Sequence, residues 1–281
     1  MTAHIEIETQ RVFSASMLKR WTGCPLSAKF RYVDRLPDPV NAFGAFGTVV
    51  HKALEVFNTN NNKYAAINLF EHLWENPGKA YAGIDWWPPR FDWHTAMDDG
   101  KRIIEEFCDR AELIDREVLA VEHHFEVTIG EFRLQGYVDC LEIVRDRTGR
   151  RRLQITDYKT AGRQPTAAEL GYDIQFTCYD YASRDPEFWS GVDNGNQLCI
   201  EFASADRRLV WDALKHNKEI LCTPRSTADF QRLYRAMQTI EAAWQAGIFV
   251  PDISAATCGF CPYHEPCGVS IPTPELLGSL V

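Results

Sequence analysis

Arg151-Arg152-Leu153-Gln154-Ile155-Thr156-Asp157-Tyr158 reads as a strand running into Lys159-Thr160, and this stretch decides the fold. Successive side chains of a strand point to opposite faces, so Asp157 and Lys159 share one face. Upstream, residues 119–128 and 132–144 carry the same period and read as two further strands. Gly130 and Asp146-Arg147-Thr148-Gly149 supply the turns between the three. Gly136-Tyr137-Val138-Asp139 lies inside the middle strand, which lets Asp139 face Asp157 and Lys159 from next door.

Outward from this meander the period becomes helical. Residues 14–36 read as helix, turn and helix: Ser14 or Ser16 caps, Met17, Leu18 and Trp21 form the apolar side, and Gly23-Cys24-Pro25 breaks it. Val50, Leu54 and Phe57 mark a helix over 47–58, with His51 and Glu55 on the neighbouring stripe. Residues 60–94 hold helical pieces and the aromatic loop Asp85-Trp86-Trp87-Pro88-Pro89-Arg90, and Ile103, Ile104 and Phe107 face inward from a helix over 96–113. Residues 166–183 return to helix, with Leu170, Ile174, Cys178 and Tyr181 as its core side. Residues 197–203 and 207–211 resemble a hairpin around Ser204-Ala205-Asp206. Ser226 with Asp229 opens a last helix over 227–246. The order predicts an α/β fold, a mixed central sheet flanked by helices. A single domain over 1–281 is expected, with a helical part at 1–115, the sheet core at 116–213 and a helical, cysteine-bearing part at 214–281.

The 281 residues are 45% hydrophobic and 25% charged, which excludes disorder and collagen-like repeats. No apolar run reaches the roughly 18 residues of a membrane helix, so no membrane partner is expected. MTAHIEIETQ lacks the basic start and apolar stretch of a signal peptide. With an odd number of cysteines, nine, the expected compartment is the reducing cytoplasm. The formal charge of -9 argues against a protein that coats duplex nonspecifically. It leaves room for a nuclease, whose metal carboxylates are acidic by necessity.

Two carboxylates with a lysine beside them suit a hard cation. Mg²⁺ takes oxygen ligands and keeps several waters, and a lysine can orient the attacking water. An isolated D-x-K is more often an ion pair on an edge strand. His51 alone is more often a packed or surface histidine, and Gln175 and Tyr179, four apart on a helix, are by themselves an ordinary polar face. Glu122 is an extra acid or a solvated strand residue.

These pieces in this order resemble the PD-(D/E)xK nuclease superfamily, specifically its RecB-like branch. The resemblance runs from Trp21-Thr22-Gly23-Cys24-Pro25 through Gly47-Thr48-Val49-Val50-His51, Gly136-x-x-Asp139 and Asp157-Tyr158-Lys159-Thr160 to Gln175-x-x-x-Tyr179 and the last cysteines. It implies that His51, Asp139, Asp157 and the Tyr158 carbonyl bind Mg²⁺ or Mn²⁺. It implies that Lys159 positions the water, and that Gln175 and Tyr179 organise the site. The proline that the superfamily pattern places before the first acid is absent; Gly136 stands near it.

Cys258-Gly259-Phe260-Cys261 and Cys267 form C-x2-C-x5-C, three thiolates in want of a fourth ligand. Cys24, presented in a turn, and His264 are the candidates. Zinc accepts four cysteines, or three with a histidine; an iron–sulfur cluster prefers four cysteines. From chemistry alone the two stay open. Iron–sulfur members of the RecB-like branch, among them CRISPR-adaptation nucleases and AddB subunits, use one early and three late cysteines. The resemblance therefore implies a 4Fe-4S cluster on Cys24, Cys258, Cys261 and Cys267 that staples the two ends of the chain. Cys108, Cys140, Cys178, Cys199 and Cys222 read as small apolar residues.

Lys19, Arg20, Lys29, Arg31 and Arg35, and the cluster Arg145, Arg147, Arg150, Arg151 and Arg152, are candidate phosphate contacts. Trp86, Trp87 and Trp93 are candidates for stacking on unpaired bases. The chain has no GxxxxGK[ST] stretch and so no motor of its own. The expected function is a metal-dependent DNA exonuclease that prefers single strands or frayed ends. The competing expectation is a DNA-trimming or DNA-binding subunit in a recombination or CRISPR-adaptation complex, beside a helicase, recombinase or integrase.

Overall fold

A computed structural model describes residues 11–76, 78, 83–84, 91–203, 207–252, 254, 258 and 261–268. Its elements are β1 (Val12–Ser14), α1 (Ala15–Gly23), α2 (Pro25–Tyr32), α3 (Ala42–Asn60), α4 (Lys63–Glu75), α5 (Trp93–Ala111), β2 (Arg116–Ile129), β3 (Phe132–Arg145), β4 (Arg151–Lys159), α6 (Ala167–Gly171), α7 (Ile174–Ala182), α8 (Gly195–Glu201), β5 (Arg208–Ala213), β6 (Lys218–Leu221), α9 (Thr227–Gln245) and the short α10 (His264–Cys267).

Helix starts follow local chemistry. Oxygens of Ser14, Asn41, Asn62 and Asp92 accept the orphan N–H groups of the first turns of α1, α3, α4 and α5. The Ser226 N–H and hydroxyl both donate to Asp229 Oδ2 at the start of α9. The expected meander is present, and it sits in a mixed sheet of order β1-β3-β4-β5-β6, with β2 also on β3. β1–β3 and β4–β5 are parallel pairs; β2–β3, β3–β4 and β5–β6 are antiparallel. Helices cover both faces. Leu153 and Ile155 of β4 pack with Leu18 of α1, Phe176 of α7 and Met237 of α9, whereas Cys140 and Tyr158 join Val50 and Leu54 of α3 and Ile104 of α5. Full burial of such side chains is worth about 1.5–3 kcal/mol each, which makes the alternation of β4 strongly register-specifying.

Three expectations need correction. Residues 197–203 are not a strand: Leu198 and Phe202, four apart, are buried while Ile200 is 79% exposed, so the helical period of α8 wins. The hairpin partner of β5 is instead β6, a four-residue edge strand too short to show a pattern. Residues 166–183 form two helices, because Asp173 turns the chain and caps α7 by accepting the N–H groups of Gln175 and Phe176. Arg225 Nη2 donates to the carbonyls of Leu170 and Asp173 on either side of that break. The α7 core side is Phe176, Cys178, Tyr179 and Ala182; Ile174 and Tyr181 are only partly buried.

Candidate metal centre and its surroundings

The site arises where two strands part. One edge of β3 is taken by β2 along most of its length. On the other edge β4 pairs with Cys140–Arg145 and β1 with residues 133–135, and Gly136-Tyr137-Val138-Asp139 pairs with neither. β4 leaves β3 after Thr156 but stays on β5 through Lys159. Side chains close the fork: the Tyr158 N–H donates to Asp139 Oδ2 at 2.6 Å, and the Tyr179 hydroxyl to the Tyr137 carbonyl at 2.7 Å. Val138 and Leu141 enter one core while Cys140 enters the other, so the alternation of β3 is broken at Asp139. Gly136 is required by packing, since a Cβ there would sit 2.8 Å from the Phe125 ring.

His51 of α3 reaches into the fork. Its Nδ1 lies 3.6 Å from Asp139 Oδ1 and 4.0 Å from Glu122 Oε1, and its Nε2 lies 3.0 Å from the Tyr158 carbonyl oxygen. Among the described residues His51, Glu122 and Asp139 are the one group of three whose ligand atoms all fall within 4.8 Å of one another. Burial opposes the protonated form of His51, but Asp139, and Asp157 behind it, outweigh this and raise its pKa. Burial, then the neighbouring Asp139, pushes the Glu122 carboxyl up. A cation beside Glu122 would favour its ionised form. The 3.0 Å contact with the Tyr158 carbonyl is a hydrogen bond from Nε2, which leaves Nδ1 as the nitrogen turned to Asp139 and Glu122. The donor set fits a hard divalent ion.

Glu122 is the residue whose weight the sequence understated. Its φ of 46° is left-handed, uncommon for a residue with a Cβ, and it falls opposite Asp139 between the pairs Val121–Cys140 and His123–Val138. Counting back from the Gly130-Glu131 turn finds it, since Ile129 pairs Phe132 and each step outward keeps that register.

Asp157 and Lys159 share a face as expected, with Lys159 Nζ 2.6 Å from Asp157 Oδ2. Asp157 is 1% exposed, and its Oδ1 accepts from Gln175 Nε2 at 2.9 Å. It stands beside the His51 group, not within its 4.8 Å circle. Burial pushes the Asp157 carboxyl up against the pull of Lys159. Burial also opposes the charge on Lys159, but the charge and hydrogen bond of Asp157 hold its pKa above the usual value, so it stays a cation. Gln175 also donates to the Tyr179 hydroxyl at 2.6 Å and accepts from Lys19 Nζ at 2.9 Å. Lys19 lies 3.1 Å from Asp173 Oδ2, so it belongs to this network and is not a free surface charge.

The other expected phosphate contacts are mostly paired. Arg20 and Arg31 meet Asp38, Lys29 meets Asp34, Arg145 meets Asp115, Arg151 meets Glu201 and Arg152 meets Asp146. Cations that the sequence reading passed over, Lys52, Arg163 and Lys215, line an 850 Å³ cleft that His51, Glu122 and Lys159 also line. Trp93 packs, half-buried, against the α3–α5 core, and Trp86 and Trp87 lie outside the described residues.

Cys24 caps α2, its sulfur accepting the Ser27 N–H. The backbone of Asp252 joins it to the far end of the chain: its N–H donates to Cys24 Sγ and its carbonyl accepts from Cys258 Sγ, both at 3.4 Å. Burial, then the charges of Asp252, Cys261, Cys24 and Cys267, push the Cys258 thiol up. His264 is exposed at the start of α10.

A fork that gathers carboxylates, a histidine and a lysine at the end of a mixed sheet has a counterpart among known families. The chain belongs to the PD-(D/E)XK nuclease superfamily, whose model matches residues 12–268. These nucleases use divalent metals, and the family implies DNA as substrate. Gene 69 protein of Mycobacterium phage D29 is similar at 22% identity, over 91% of this chain and 96% of its own. A solved structure, the crystal structure of SSO0001, aligns over 94% of this chain and 90% of its own at 12% identity, with a TM-score of 0.38. Among the described residues no helix is long and apolar enough to cross a membrane.

Proposed function

We propose that the chain is a RecB-like, Mg²⁺- or Mn²⁺-dependent DNA exonuclease that prefers single strands or frayed ends. The observation that carries this reading is the fork, which brings His51, Asp139 and the Tyr158 carbonyl together beside Asp157 and Lys159. His51, Asp139, Asp157 and the Tyr158 carbonyl would hold the metal, with Glu122 in reach. A bound divalent ion lowers the pKa of water and offsets charge on the phosphate. Lys159, held charged by Asp157, points its ammonium at the same place and orients the attacking water. Gln175 fixes Asp157 from behind and is itself fixed by Tyr179 and Lys19. A 4Fe-4S cluster on Cys24, Cys258, Cys261 and Cys267 belongs to the same proposal, supported by the contacts of Cys24 and Cys258 through Asp252.

Anaerobically purified protein given strands labelled at either end tests it. Mg²⁺ or Mn²⁺ should support stepwise shortening, faster on single strands than on blunt duplex, and Ca²⁺ should not. Full activity in chelator, or equal rates on blunt duplex, would overturn the reading.

A further inference from the structure

We infer that the cleft beside the metal centre is a subsite for one unstacked nucleotide of the bound strand, with its base against Phe43 and its phosphates at Lys52 and Arg163. The strand itself is taken from the nuclease reading above; the subsite is what the cleft adds to it. Phe43 and His51 stand on the same side of α3 about two turns apart, roughly 12 Å along its axis. Both line the cleft, which therefore runs from the metal centre to an aromatic wall.

Phe43 is an unusual wall. It is 49% exposed, while its ring packs at 4.9 Å against Phe91, which is 6% exposed. It is thus backed on one side and open on the other, as a stacking platform needs to be. Between Phe43 and His51 the lining includes Gly44 and Gly47. A Cβ at Gly47 would come within 3.3 Å of Thr160 Oγ1, so that glycine serves the approach of α3 to the chain after β4. A Cβ at Gly44 would meet nothing closer than Asn41 Oδ1 at 3.6 Å, an ordinary contact, so packing alone leaves Gly44 unexplained. A bare patch of helix beside an exposed ring is the shape a base and its sugar require.

The charges agree. In a chain of net charge -9, this cleft is lined by Lys52, Lys159, Arg163 and Lys215 against the carboxylates Glu55 and Glu122. Lys52 forms no ion pair or hydrogen bond among the described residues, Arg163 is held among them only by exposed Glu169, and Lys215 reaches over the Phe91 ring with Asp99 Oδ2 3.8 Å from its ammonium. Local positive charge in a cleft steers a polyanion even when the whole chain is acidic. A base inside a duplex has no free face to offer Phe43, whereas every unpaired base has one. The subsite accordingly selects single strands without reading their sequence.

Binding separates this from cutting. In a Lys159→Ala background, which keeps the strand intact, fluorescent 12-nucleotide strands carrying one abasic position each are titrated onto the protein. One or two adjacent abasic positions should weaken binding about ten- to hundredfold, the range expected for loss of one stacked base. Phe43→Ala should weaken binding of the intact strand by the same factor and abolish the position dependence, and Phe43→Trp should keep it. Gly44→Leu, whose Cβ meets nothing closer than 3.6 Å, should also weaken the intact strand. A flat abasic scan, or an unchanged one in Phe43→Ala, would overturn the subsite even if the protein with Lys159 cuts DNA. A position-dependent scan in a protein that cuts nothing with Mg²⁺ or Mn²⁺ would overturn the nuclease reading and leave the subsite standing.

Discussion

The main-chain N–H of Tyr158 donates to Asp139 Oδ2 at 2.6 Å, so a carboxylate of β3 is held by the very segment of β4 that carries Asp157 and Lys159. The bond replaces the ladder where the strands part, and it leaves Asp139 Oδ1 facing His51. Asp139→Ala therefore removes a carboxylate from beside His51 and loosens the fork together. Asp139→Ala, Asp157→Ala and Lys159→Ala are each expected to lower cleavage at least a hundredfold. Groups acting as a unit are non-additive, so the double variant Asp139→Ala/Lys159→Ala should be little worse than either single one in single-turnover assays.

Glu122 separates strain from function. Its left-handed backbone costs on the order of 1 kcal/mol, which glycine would relieve while paying back a similar sum in chain entropy. Glu122→Gly should leave chemical-denaturation stability of the metal-free protein within about 1 kcal/mol of wild type. Its affinity for Mn²⁺, measured by calorimetry, should fall at least tenfold. A stable variant with unchanged Mn²⁺ affinity would remove Glu122 from the site.

Gly136→Ala places a methyl 2.8 Å from the Phe125 ring at the first position of the gap in the ladder, and should cost about 1–3 kcal/mol. Phe125→Leu in the same chain should restore part of that loss, a coupling that a thermal-unfolding cycle reads directly.

Burial pushes Asp212 up to about 6 against the pull of Arg110, and among the described residues its Oδ1 has no hydrogen-bond partner. Its carboxyl is raised above the unfolded value, so the folded state binds the proton more tightly. The resulting stability is complete below about pH 4 and is lost as pH rises through about 6. Wild type should lose on the order of 2 kcal/mol relative to Asp212→Asn between pH 4 and 7. Parallel pH profiles for the two proteins would refute the assignment.

The four-cysteine proposal predicts a brown protein. Serine at Cys24, Cys258, Cys261 or Cys267 should bleach it and lower Tm, and serine at Cys108 or Cys178, both buried in apolar cores, should leave the colour intact. His264→Ala should keep the metal. Stoichiometric zinc without iron or sulfide would overturn the cluster and leave the nuclease reading untouched.

The meander, the facing of Asp157 and Lys159 and the starts of α1 and α9 were legible because each depends on neighbours in sequence: alternation, turn glycines and capping oxygens; α3, read from residue 47, begins at Ala42. The fork was not, since it depends on β4 choosing β5 over β3 after Thr156, a competition between strands that no local pattern records. Lys19 was readable only as one basic residue among several, because its partners Gln175 and Asp173 arrive from a distant helix turn. The reverse error, the strand expected at 197–203, came from a short apolar run in which either period fits until Leu198 and Phe202 find the core.

Leu153 and Ile155 lock β4 into the sheet by the same alternation that sets Asp157 and Lys159 in the fork. A slip of one residue would turn both apolar side chains out to the other face and put Tyr158 where the acid belongs. The hydrophobic core thus acts as an index mark for the chemistry: a molecule cannot be well packed and mis-set at its reactive residues, so mutations that merely soften the β4 core should yield fewer active molecules, each working at full rate.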